Sequence, residues 1–272
     1  MKTHDTYIQE NIRQHERIAT LYTKRHSEIY NSVEQARLAA LIGLATGLVK
    51  SGSRRALDFG CGDGNLTRHI LHHGFHVICA DVTPSFTRIS SAIDPNATTP
   101  HILNGRDLTE FGNGIFDFIA TYSVLHHVPD YLHIVSEMIR ILSPGGVLVI
   151  DHEASSEYWT NSPLLAELRS ASTAPRSPFW YMKRIFSVNW WIKRFRKFRN
   201  PRYSEEGDIH VWPDDHIEWD KIRSLMVDAG LELCADEDYL LYQPQYSLEL
   251  YEQYRNRCSD MHVIVARKPL RA

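Results

Sequence analysis

The sequence predicts an α/β protein in which a largely parallel sheet carries helices on both faces, and three observations predict it. Short apolar runs alternate with amphipathic stretches between residues 55 and 151, a glycine-rich bend joins the first run to the first amphipathic stretch, and an acid closes the second run. With 272 residues, 43% of them apolar and 23% charged, the chain can bury one full core with additions.

Residues 8–50 read as helical. Ile18, Leu21 and Tyr22, then Leu38, Leu41, Ile42, Leu44 and Leu48, fall at three- and four-residue spacing, and Ser51-Gly52-Ser53 breaks the pattern. The alternation then runs through strand 55–59, helix 65–73, strand 76–81, a helical turn at 86–91, a short strand at 102–103, strand 116–121, helix 131–142 and strand 147–151. From 153 to about 212 it stops. Trp159, Phe179, Trp180, Tyr181, Trp190 and Trp191 make this stretch aromatic, and it is expected to be an insertion or lid without further sheet repeats. A helix at 219–228, with Asp214 or Asp215 as its N-cap and Gly230 as its stop, leads to strands at 231–240 and 261–267. The expected organisation is a helical cap (1–50), a core (51–152), the insertion (153–217) and the last part of the sheet (218–272).

A formal charge of -3 supplies no broad basic field for nucleic-acid phosphates, so a small-molecule or glycan partner fits better. Cys61, Cys79, Cys234 and Cys258 form no CxxC pair and read as reduced thiols. The polar N-terminus and the lack of any run near the roughly 18 apolar residues of a membrane span predict a cytoplasmic protein. Nothing in the sequence marks a particular oligomeric state.

The bend Asp58-Phe59-Gly60-Cys61-Gly62-Asp63-Gly64 lies between strand and helix, where a backbone passes close to a ligand. A dinucleotide fingerprint needs glycine or alanine three places after Gly62, where Asn65 stands, which argues against a nicotinamide cofactor. Asp81 follows Gly64 by 17 residues and ends the second strand, where a carboxylate can accept hydrogen bonds from both ribose hydroxyls. Asp58, at the mouth of the first strand, could hold an ammonium group directly or through water.

LDFGCGDGNLTRHI resembles the first motif of the class I S-adenosylmethionine-dependent methyltransferases, and ICADVTPSF the second. Gly105-Arg106-Asp107-Leu108 resembles their adenine-contacting loop, residues 116–128 their fourth-strand motif, and residues 142–148 the loop into the fifth strand. The resemblance implies a Rossmann-like three-layer αβα sandwich on a mostly parallel seven-stranded sheet whose last strand is antiparallel. It also implies S-adenosylmethionine as cofactor. Asp58 would then lie near the methionine ammonium, and the backbone of Gly60, Cys61, Gly62 and Gly64 would border the cofactor. Asp81 would bind the ribose, Val82 would pack on adenine, Asp107 and the backbone of Leu108 would face the adenine amine, and Tyr122 or Ser123 would line the methionine side. The helical leader resembles those that cover the cofactor in bacterial surface-polysaccharide and natural-product methyltransferases. Tyr22 and His26, four apart on one helix face, would close over the methionine end.

Methyl transfer from a sulfonium is an in-line displacement, so a hydroxyl acceptor needs positioning and a proton acceptor. His126 and His127 are candidates, at most one facing the acceptor; alternatively both are structural residues of the family's L-H-H-V turn. His152, Glu153, His210, Asp214, Asp215 and His216 are dense in metal-binding types but lack a ligand spacing, so no metal is assigned. The basic run 193–199, interrupted by Phe195 and Phe198, could grip a phosphate-bearing acceptor or touch a membrane surface without inserting stably. The function expected is O-methylation of a small molecule or sugar-containing metabolite. The alternatives are lipid or quinone C-methylation and a non-catalytic module that binds S-adenosylmethionine.

Overall fold

Consecutive side chains of the apolar runs feed opposite faces of one sheet, and the helices between them cover both. The computed structural model describes residues 3–19, 22–160, 162–172, 188–204 and 207–270. Phe179, Trp180 and Tyr181 lie outside the described residues. Seven strands pair in the order β3-β2-β1-β4-β5-β9-β8, formed by β1 (Arg55–Phe59), β2 (His76–Asp81), β3 (Thr98–Ile102), β4 (Phe116–Tyr122), β5 (Leu142–Ala154), β8 (Glu232–Tyr239) and β9 (Met261–Arg267). The first five run parallel, and β9 is antiparallel to both β5 and β8.

On one face Leu57, Ile119 and Leu148 pack against Ile134, Val135 and Met138 of α6 (Tyr131–Ile141) and against Ile222 and Met226 of α9 (Trp219–Asp228). On the other, Ala56, Phe118 and Val149 meet Leu38 and Ile42 of α3 (Ser32–Gly47) and Leu66 and Ile70 of α4 (Asn65–Leu71). Each large side chain so buried contributes about 1.5–3 kcal/mol of transfer free energy, which makes this double layer the main source of stability.

Several elements depart from the sequence reading. The leader is not one helix: α1 (His4–Ile18), a turn α2 (Tyr22–Arg25) and α3 are separate, because Asn31 is extended and its side chain caps α3 by accepting from the Glu34 amide. Strand β3 begins at Thr98, earlier than expected; Pro100 is tolerated because β3 is an edge strand. The insertion does contain strand, a two-residue ribbon of β6 (Val211–Trp212) and β7 (Asp215–His216) separate from the main sheet. Asp214 and Asp215 do not cap α9. They bind Arg202, and the N-cap is Glu218, which makes no side-chain cap bond. The remaining helices are α5 (Pro84–Ser91), α7 (Pro163–Ser172), α8 (Val188–Arg199) and α10 (Leu248–Tyr254). Among the described residues, no helix is long and apolar enough to cross a membrane.

Candidate functional site

Strand order reverses between β1 and β4, and a crevice opens there beyond the carboxyl ends of the strands. Phe59, Gly60 and Gly62 form its base beside Asp81 and Val82; Leu103, Gly105, Arg106 and Asp107 form one end, and Tyr122, Ser123, Val124 and His127 the other. Counted out to its open mouth, the cavity is about 810 Å³.

The glycine bend has its shape for steric reasons. Gly60 has φ +73°, and a Cβ there would stand 2.4 Å from Val124 Cγ2. Gly62 also has positive φ, but its missing Cβ would point into open space, so the backbone itself forms that part of the wall. The Gly62 amide donates to Asp81 Oδ2 at 3.2 Å, and the Thr83 amide to Oδ1 at 2.7 Å. These bonds fix the carboxylate at the cavity wall. Burial pushes the Asp81 carboxyl above its ordinary value, and the Thr83 amide pulls it back. The carboxylate and bare backbone at one end, with Val82, Phe86 and Leu103 around them, suit a nucleoside: polar ribose contacts beside an apolar slot. S-adenosylmethionine fits this donor set. Asp107 stands at the slot's mouth, held down to about 2 by Thr109 and Asn104, so it is ionised.

Not every expected residue reaches the wall. Asp58 is buried beneath the bend, where Oδ2 accepts from Thr67 at 2.6 Å and Oδ1 has no hydrogen-bond partner among the described residues. Cys61 is buried against Ser90, Gly64 caps α4 and packs on Ser90 and Ile93, and Leu108 is a core residue. Tyr22 lines the cavity, with its ring edge-on to Phe86, whereas His26 sits behind it, paired with Glu28 at 2.9 Å.

Burial pushes Asp58 up to about 7, against 3.8 for a free carboxyl. The folded chain therefore holds a proton that the unfolded chain releases across that window, and this stability is lost as pH rises towards 7. In the ligand-free protein Asp58→Asn is expected to be stabilising at pH 8 by about 1–2 kcal/mol and nearly neutral at pH 5. Thermal melts at both pH values check this; an equal difference at the two would disprove the buried charge.

A covering leader was expected, but the residues that form the roof were missed in the sequence. Ile8, Asn11 and His15 of α1 line the cavity from above, and α1 is latched by Glu16, which accepts from the Ser85 amide at 3.0 Å, and by Asp5 on Arg106 at 2.7 Å. Their i, i+3, i+7 spacing was the available signal, but one apolar residue among polar ones reads as a surface face.

At the other end, Ser123 and His152 both have positive φ, and a bulge between Asp151 and Glu153 turns Glu153 towards β4. Glu153 is buried and accepts from the amides of Val124 at 2.8 Å and Leu125 at 2.6 Å, and from His126 Nδ1 at 2.7 Å. One carboxylate thus fixes the whole turn that carries both histidines. The His126 carbonyl accepts from the amides of Ile209 and His210, which docks the insertion on this turn. Of the two histidines, only His127 lines the cavity. Burial pushes its pKa well down, so the imidazole is neutral, and Asp208 Oδ1 lies 3.4 Å from Nδ1.

Beneath Tyr122, its hydroxyl donates to Glu34 at 2.9 Å, and Arg37 bridges Glu34 and Asp151 at 2.6 and 2.7 Å. His152 stacks on the Tyr122 ring at 4.4 Å, so this expected metal candidate is a packing residue. Among the described residues, His152, Glu153, His210, Asp214, Asp215 and His216 do not gather as one ligand shell; the three groups that do converge are His126, His127 and Asp208, within 4.8 Å.

Residues 57–150 match the family described as a methyltransferase domain. The chain is 26% identical over 121 residues to the 2-methyl-6-phytyl-1,4-hydroquinone methyltransferase of Synechocystis sp., covering 41% of this chain and 38% of that protein. It is 31% identical over 99 residues to the ubiquinone biosynthesis O-methyltransferase of Xylella fastidiosa strain 9a5c, covering 35% and 40%. The chain thus spans about two fifths of the length of these curated relatives. An S-adenosylmethionine dependent methyltransferase from Mesorhizobium loti superposes with a TM-score of 0.54 at 19% identity, over 84% of this chain and 97% of that one. A putative methyltransferase solved with the Haloferax volcanii Trm112 activator gives 0.55 at 15% identity, over 94% and 97%. Sheet order, glycine bend, strand-end acid and family match agree: over residues 57–150 the chain matches a methyltransferase domain, and its fold is the one on which the S-adenosylmethionine dependent methyltransferase from Mesorhizobium loti is built.

Proposed function

We propose that the chain methylates a hydroxyl of a small molecule, with S-adenosylmethionine held between the glycine bend and α1 and the acceptor admitted beside His127. The observation that carries this reading is an imidazole, kept neutral by burial, on the wall of the acceptor end, where Val124, Val128, Pro129 and Ile134 also line the cavity and the His15 ring stands edge-on to it at 5.1 Å. Such a wall suits a hydroxylated aromatic or quinol better than a glycan, and the curated relatives named for hydroquinone and ubiquinone chemistry support the same class.

The bound cofactor supplies an electrophilic methyl group on a sulfonium. The chain's own residues do the rest. Asp81 and the Gly60–Gly62 backbone orient the nucleoside, Tyr122 and Ser123 border the far end, and α1 excludes water from above. His127 accepts the acceptor's hydroxyl proton, and the imidazolium so formed is stabilised by Asp208, 3.4 Å from Nδ1. Asp208, Ile209 and His210 of the insertion stand behind the acceptor-side turn, docked through the Ile209 and His210 amides on the His126 carbonyl.

His127→Gln is expected to lower turnover about a hundredfold or more while leaving cofactor affinity within about twofold of wild type. S-adenosylhomocysteine release with a panel of catechols and hydroquinones, alongside calorimetry, measures both. Full turnover in the variant removes the base assignment. Product from sugars but not phenols removes the acceptor class.

A further inference from the structure

Helix α8 carries Lys193, Arg194, Arg196, Lys197 and Arg199 and no acid, in a chain whose formal charge is -3. Trp191, Ile192, Phe195 and Phe198 recur at i, i+1, i+4 and i+7, which places them on one stripe; Lys193, Arg194 and Lys197 lie on the opposite side, and Arg199 ends the stripe with its guanidinium over the Phe195 ring at 5.8 Å. This stripe faces water: Trp191 is 51% exposed, Ile192 44%, Phe195 59% and Phe198 85%. The other amphipathic helices, such as α6 and α9, bury their apolar stripes in the core.

A short chain of contacts connects α8 to the site. Arg196 donates to the Tyr203 hydroxyl at 3.1 Å, and Arg202 in the same turn pairs with Asp214 and Asp215. His210 joins Asp215 through Nδ1 and the Val128 carbonyl through Nε2 at 3.1 Å, next to the turn that carries His126 and His127.

We propose that α8 is an interfacial helix that lies in the headgroup region of an anionic lipid bilayer, with its apolar stripe in the acyl boundary. Charge selects this occupant. A second copy docked symmetrically through this helix would set one cationic helix against another with no acid on either, whereas anionic headgroups neutralise the flanks while the acyl boundary takes up the aromatic rings. Docked so, the helix sets the acceptor-side turn against the membrane, where an apolar acceptor concentrates.

The test floats the full chain with vesicles of phosphatidylcholine alone and of phosphatidylcholine with an equal part of phosphatidylglycerol. It needs neither cofactor nor acceptor, so its failure is separate from failure of the proposed function. Expected is partition onto the anionic vesicles about tenfold or more above the neutral ones. Phe195→Glu with Phe198→Glu, and separately Lys193→Gln with Arg196→Gln and Lys197→Gln, should each reduce it about tenfold; melting temperatures should change by no more than a few degrees, since all five side chains are exposed and the bond Arg196 gives up to Tyr203 is itself exposed. Equal binding to both vesicles, or none, overturns the proposal. So does loss on the charge substitutions alone, which signals simple ion exchange, or a dimer in sedimentation that the phenylalanine substitutions dissolve.

Discussion

Replacing Asp81 by alanine is expected to weaken S-adenosylmethionine and S-adenosylhomocysteine binding ten- to a hundredfold, about 1.5–3 kcal/mol for hydrogen bonds to a charged group. The carboxylate is buried at the cavity wall and already oriented by the Gly62 and Thr83 amides, so a ligand hydroxyl meets it without a reorganisation cost. The same bonds make the variant informative about structure. Losing the carboxylate leaves two amides without their acceptor, so some loss of stability accompanies the loss of affinity, and Asp81→Asn, which keeps one acceptor oxygen, separates the two effects. Calorimetric titration reads the affinities. An unchanged affinity in Asp81→Ala would show that the ribose is held elsewhere.

The second large effect is expected at Glu153, which no ligand needs to touch. Its buried carboxylate satisfies three donors at the turn between β4 and α6, the Leu125 amide buried and the Val124 amide and His126 Nδ1 part-buried. Alanine would leave all three unpaired, at about 1 kcal/mol or more each, so a loss of roughly 3 kcal/mol is expected, or about 6–12 °C in melting temperature for a chain of this size. Turnover should fall further than stability alone implies, because the turn sets where His127 stands. Glu153→Gln can still accept from the two amides but cannot accept from His126 Nδ1 through its amide nitrogen; it should melt within a few degrees of wild type and keep cofactor affinity. Melting curves decide this, and a wild-type melting temperature for Glu153→Ala would show that the turn is held by other contacts.

The sequence disclosed most where local pattern and burial coincide. Strands β1, β2 and β4 are apolar runs buried on both faces, so their existence and order were legible, and so was the Asp81 that ends one of them. Position on the wall was less legible. Asp58 and Asp81 look alike as strand-end acids, yet Asp58 lies under the bend and Asp81 beside it. The difference is set by the left-handed turns at Gly60 and Gly62, which spacing alone does not orient.

What joins distant segments was hidden for a different reason. Asp208 comes within 3.4 Å of His127 only because the Ile209 and His210 amides find the His126 carbonyl, a closure that neither segment's composition announces. Strain was equally silent: Ser123 and His152 adopt positive φ although neither is glycine, and both flank the turn that Glu153 holds. The split of the leader at Asn31 was readable in principle, since an asparagine three places before a glutamate is a capping pattern, but the surrounding helical periodicity outweighed it.

The most direct measurement is a calorimetric titration of S-adenosylhomocysteine into the full wild-type chain, with Asp81→Ala run beside it. Expected is saturation at one ligand per chain, with the variant weakened as above. No heat and no thermal shift from either the donor or its demethylated product would mean that the crevice between β1 and β4 does not bind this nucleoside, and the functional account would fall with it.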